Sequence, residues 1–166
     1  MADKHYGVLN IALAVTMALY LVVILLHGHF GANVLCFPKL GCNAGFFGYD
    51  AFFEHFLCAC VGTLLLVRFM KTHPHRSFLY NSFWKNIIVL IALTMLLGVA
   101  WELFEFSHDQ IMLYAPPQRA IFFLTPDRRL QPSNIDTMGD LTFDLMGSST
   151  ALIVLSLIGR DLIKRV

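Results

Sequence analysis

The chain has 166 residues, of which 57% are hydrophobic and 14% charged, with a formal net charge of +1 and a mean hydropathy of +0.66. That length has room for one domain, and a soluble domain so small could not hide four long apolar helices in its interior. The near-neutral charge says nothing about a partner, and no basic stripe suggests nucleic acid.

Apolar runs near residues 8–27, 50–70, 86–107 and 138–159 each approach the roughly 20 residues that a membrane-spanning helix needs. The expected fold is therefore all-α: a polytopic membrane protein of four transmembrane helices in a compact bundle, with residues 1–166 forming one integral membrane domain. The first run exceeds the roughly 7–15 apolar residues of a secretory signal and no A-x-A-like site follows it closely, so it reads as a retained anchor. It leaves through His27 and His29 into a loop containing "CFPKLGC". There Cys36 and Cys42 are expected to form a disulfide, closing a small ring around Pro38 and Gly41 if the loop faces an oxidising compartment.

The second run opens with Asp50, Glu54 and His55 and carries Cys58 and Cys60, read as small packing residues. His73 and His75, in the short polar "KTHPHRSF" connection, are expected to be solvated. Trp84 and Trp101 suit the aromatic belts near the ends of the third run, which closes on "WELFEFSHD". In the 108–137 connection Pro116 and Pro117 break any helix, and "RAIFFL" could lie flat at the interface with Arg119 toward headgroups. The fourth run is short: Leu145–Ile158 spans only if Asp140 and Asp144 enter the membrane with it.

Charge sets the orientation. With four spans, Lys4, Arg68, Lys71, Arg76, Lys85, Arg160, Lys164 and Arg165 fall on one side. Lys39, Arg119, Arg128 and Arg129 fall on the other. The positive-inside rule then puts both termini in the cytoplasm.

In that topology the acids share one leaflet, the outer. Glu102, Glu105 and Asp109, at i, i+3, i+7, lie on one helical face, as do Asp136, Asp140 and Asp144 at i, i+4, i+8. If the two antiparallel helices are neighbours, Glu102 meets Asp144, Glu105 meets Asp140 and Asp109 meets Asp136. A charged Asp at mid-bilayer costs about 2.5–3.5 kcal/mol, and like charges in one site raise each other's pKa. Bound metal, retained protons, loop arginines or a water-filled cavity are the available remedies, and each implies a shared site. The expected metal ligands are His55, Glu102, Glu105, Asp140 and Asp144, with Glu54, Asp109, Asp136 and His108 as second choices or supporting partners. Surface exposure already accounts for most of the second group. Glu105-Phe-Ser-His108 is a single E-x-x-H, a pattern that occurs twice in helical di-iron bundles. Carboxylates with one or two imidazoles suit a divalent Mg, Ca, Mn, Fe or Zn ion better than Cu(I). No residue is singled out as catalytic.

The pattern "WELFEF" followed by "NIDTMGDLTFDLMG", with "EHF" in the second run, resembles the YjdF-like small bacterial inner-membrane proteins, a family of uncharacterised function. The motifs cover roughly the third and fourth spans. The resemblance implies a multi-pass inner-membrane protein with an acidic centre and supplies no reaction.

Three function classes fit. One is a membrane-embedded metal-dependent hydrolase or transferase, acting on a lipid-linked or small substrate from the outer side. Another is a non-catalytic subunit or assembly factor with a structural metal, oligomeric or docked to a partner. The third, a cation or proton carrier, needs a path through both leaflets, and the apolar "LLLVRFM" and "IVLSLIG" oppose one.

Overall fold

A computed structural model describes residues 2–30, 51–73, 79–114 and 134–163. Among these residues there are four long α-helices and no strand: α1 (Ala2–Phe30), α2 (Phe56–Thr72), α3 (Phe83–Tyr114) and α4 (Asn134–Ile158). Each contains a stretch long and apolar enough to cross a membrane: Gly7–Leu25, Phe53–Thr72, Phe83–Ile111 and Thr137–Ile158. The fourth stretch includes Asp140 and Asp144, as its length demanded.

Two boundaries differ from the sequence expectation. The second span opens with a π-helical turn, Ala51–His55, before α2 begins. Wider turns of this kind are uncommon and gather at functional positions. The third helix runs past residue 107 to Tyr114, because no proline or glycine interrupts the chain until Pro116. Its 32 residues extend about 48 Å at ~1.5 Å per residue, well beyond the roughly 30 Å of a hydrocarbon core. Glu102 through Asp109 therefore lie on rigid helix.

Helix α4 is the hub, packed chiefly on α2 and next on α3, while α1 leans on α2. Close approach of α2 and α4 depends on Gly147. A Cβ there would strike the Phe56 carbonyl oxygen and lie 3.0 Å from the Ala59 Cβ. The Cys60 thiol donates to the Gly147 carbonyl across the seam at 3.1 Å, and Ser148 and Ala151 are buried in it. Small residues are what let membrane helices approach, since lipid offers no hydrophobic drive for association.

The acids gather at one end of the bundle, and the opposite half is a close-packed apolar core around Leu64, Val67, Leu90, Leu152 and Leu155. Its few polar groups are paired. Asn86, fully buried, accepts from the Tyr80 amide at 2.6 Å and donates to the carbonyls of Tyr80 (2.8 Å) and Ile163 (2.5 Å). Lys71 donates to the Asp161 carbonyl at 2.6 Å, and Thr63 and Thr94 share a hydrogen bond of 3.0 Å between α2 and α3. Leu25, Ile88, Leu97 and Leu157 are exposed, as residues facing acyl chains should be.

Candidate metal centre and adjoining cavity

Glu102, Glu105, Asp140 and Asp144 are all buried, at 4%, 9%, 5% and 5% exposure. For carboxylates in the apolar part of a membrane helix, so little exposure implies that they face one another. The ion-pair distances agree. His55, at the end of the π-helical turn, places Nε2 3.8 Å from Asp140 Oδ1 and Nδ1 3.5 Å from Asp144 Oδ1. One ligand atom each from His55, Glu102 and Asp140 lie within 4.8 Å of one another. The three residues come from three separate segments of chain, so this proximity is a product of the tertiary fold.

The remaining expected ligands sit around this group. Glu105 accepts a hydrogen bond of 2.8 Å from the Trp101 indole. Asp144 lies deeper than the expected level of Glu102. Its carboxylate occupies the space where a Cβ on Gly98 would stand, one helical turn below Glu102 on α3. The structure brings Glu102 together with Asp140 and His55 and seats the Asp144 carboxylate against Gly98. The sequence carries a signal for Gly98 as well, since it lies on the same face as Glu102, Glu105 and Asp109 at i, i+4, i+7, i+11.

Asp109 and His108 also depart from expectation. Surface exposure was to account for both, yet Asp109 is 9% exposed. The His108 Nδ1 lies 3.3 Å from its Oδ1, because α3 continues through these positions. Glu54 is half-buried at the start of the second span. His73 is exposed, as expected. Cys58 and Cys60 are free thiols. Cys60 packs at the α2–α4 seam as expected, whereas Cys58 is exposed. Residues Cys36, Cys42, Asp50, His75 and Arg119 lie outside the described residues, as do the side chains of His27, His29 and Asp136.

Beside the cluster lies a cavity of about 330 Å³. Glu54, His55, Glu105 and Asp144 form its polar end, and Ala59, Gly62 and Leu97 its apolar end. Residues 6–161 match the family described as "Predicted membrane protein (DUF2238)". The chain belongs to that family. The match is consistent with the resemblance to YjdF-like proteins and extends it from the motif region to nearly the whole chain. No curated protein and no solved structure matches this member of the family.

Proposed function

We propose that this membrane protein holds a divalent metal ion between His55, Glu102 and Asp140, and that the ion serves a hydrolase or transferase reaction. The observation that carries the reading is the convergence of three ligand atoms within 4.8 Å. Ligands about 2.0–2.4 Å from a common ion stand at most about 4–5 Å apart. An imidazole with two carboxylates favours Zn, Mn, Fe, Mg or Ca over soft-ligand metals. Nε2 is the ring nitrogen nearer Asp140, which leaves Nδ1 toward Asp144. A carboxylate behind a ligating imidazole fixes its tautomer and raises its basicity. Three protein ligands leave coordination positions open, and an open position is what lets a bound ion activate water or polarise a phosphoryl oxygen.

The positive-inside count supports a bacterial inner-membrane orientation with both termini cytoplasmic and the cluster in the outer leaflet. A fluorescent protein fused to the C-terminus is expected to mature, and a dark, exported fusion would reverse the orientation. Elemental analysis of the purified protein tests the site. The expected result is about one ion per chain, lost on Asp140→Asn and His55→Ala while helicity is kept. A metal-free wild type, or variants that keep the ion, would overturn the reading. Cobalt substitution distinguishes a catalytic from a structural ion. An absorption spectrum that shifts with added azide supports an open position, and an unresponsive one favours the non-catalytic subunit.

A further inference from the structure

The cavity beside the cluster has a direction. Along α3 its lining runs from Glu105 and Trp101 through Gly98 and Leu97 to Thr94, about 16 Å of helix at ~1.5 Å per residue. Along the second span it runs from Glu54 and His55 to Ala59 and Gly62. Both walls change from polar to apolar in the same sense, from the acidic end toward the middle of the bundle. A lipid-like molecule lying parallel to the helices has that same gradient, head toward the surface and chain toward the midplane.

The cavity also has a side door. Leu97 and Trp101 line it, yet they are 58% and 51% exposed on the outside of the bundle. Tyr20 of α1 faces it from the other edge. Among the described residues, α1 packs on α2 and α3 packs on α4, with no comparable seam between α1 and α3. Among these residues the gap between the two helices opens where a bilayer would lie.

The charge of the guest follows from the lining. Asp144 is 5% exposed, and its Oδ2 is buried with no hydrogen-bond partner among the described residues, beside Gly98 on the cavity wall. Glu54 and Glu105 bring the carboxylates to three, and Trp101 and Tyr20 add two aromatic rings. Against them stands one imidazole, His55, held 3.5 Å from Asp144 Oδ1, and no Lys or Arg is among the described lining residues. Carboxylates with aromatic faces attract an ammonium group and repel an anion, the more strongly in a medium of low dielectric.

We infer that this cavity is a lateral binding site for an amphiphile with a positively charged head, seated against Asp144, Glu105 and Trp101 with its chain toward Leu97 and Gly62. The volume, about 330 Å³, accommodates a head and the first part of a chain, at the lower end of the range for small-molecule sites. The site shares His55 with the ion proposed above but does not require that ion, because the head is held by Asp144 and Glu105 while Glu102 and Asp140 stand outside the lining.

The chain has two tryptophans, so Trp84→Phe leaves Trp101 as the sole indole reporter. Protein with that substitution, in nanodiscs of neutral lipid, is titrated with dodecyltrimethylammonium, dodecyl maltoside and dodecyl phosphate, with and without chelator. The expected result is a saturable change in Trp101 emission with the trimethylammonium compound, at least tenfold tighter than with the other two and unaltered by chelator. Asp144→Asn and Gly98→Ala, checked for folding by circular dichroism, are expected to weaken it tenfold or more. Equal responses to the three compounds overturn the proposal, as does a cation response indifferent to both substitutions. A preference for dodecyl phosphate that disappears with chelator also overturns it, since the head would then sit on an ion. Elemental analysis stays separate from this titration, so either reading can fail alone.

Discussion

The two halves of the bundle treat buried polar groups in opposite ways. At the far end from the acids, Asn86 makes three hydrogen bonds and Lys71 finds a carbonyl, and at mid-bundle Thr63 finds Thr94. At the acidic end, four carboxylates are buried together, Asp144 Oδ2 and His108 Nε2 have no hydrogen-bond partner among the described residues, and a cavity opens beside them. A bundle selected for stability alone would resemble the first half throughout, because buried polar atoms without partners cost about 1–3 kcal/mol each. The acidic half carries that cost, which is what a binding site demands.

The strongest way to break this contrast is to force the halves apart at their shared seam. Gly147→Ala places a methyl group against the Phe56 carbonyl oxygen, backbone that has nowhere to go. Overpacking of this kind costs typically about 1–3 kcal/mol and occasionally more. It should lower the melting midpoint most of all the changes considered and, by displacing His55, abolish metal binding. A midpoint like that of the wild type would show that α2 and α4 are not so close.

Asn86→Ala should come next, losing about 2–3 kcal/mol as the backbone groups of Tyr80 and Ile163 lose their partner. Metal content is expected to survive it, because the loss lies at the other end. Thermal unfolding followed by circular dichroism supplies the midpoint. An equal loss of metal and of stability would erase the distinction between the halves.

Asp144→Asn asks the reverse question. Removing one of several clustered charges should leave the chelated protein melting no lower than the wild type, while the cavity loses its cation preference. A marked drop in midpoint would make Asp144 a structural residue.

Small effects sharpen the map. Thr94→Val removes one hydrogen bond between helices, worth about 0.6 kcal/mol on average among membrane helices, and should shift the midpoint slightly. Gly62→Ala should be close to neutral, because nothing lies within 4 Å of the added methyl group. If Gly62→Ala proved as damaging as Gly147→Ala, the packing described for α2 would be wrong.

The four spans were legible in the sequence because a bilayer imposes a length and an apolar composition on any helix that crosses it. So was the requirement that Asp140 and Asp144 enter the fourth span, since Leu145–Ile158 is too short without them. The shared faces of the acids followed from helical periodicity alone. The register between helices did not. Which groups Glu102 approaches depends on how far α3 slides along α4, and Gly98 contributes to that register by making room for the Asp144 carboxylate. The π-helical turn at Ala51–His55 was equally invisible, because local composition tolerates several alternatives there. Sequence by itself determined what each helix carries and on which face, through period and bilayer thickness. Only the tertiary structure decided which residues touch and where the cavity opens, because those depend on side-chain packing between segments far apart in the chain.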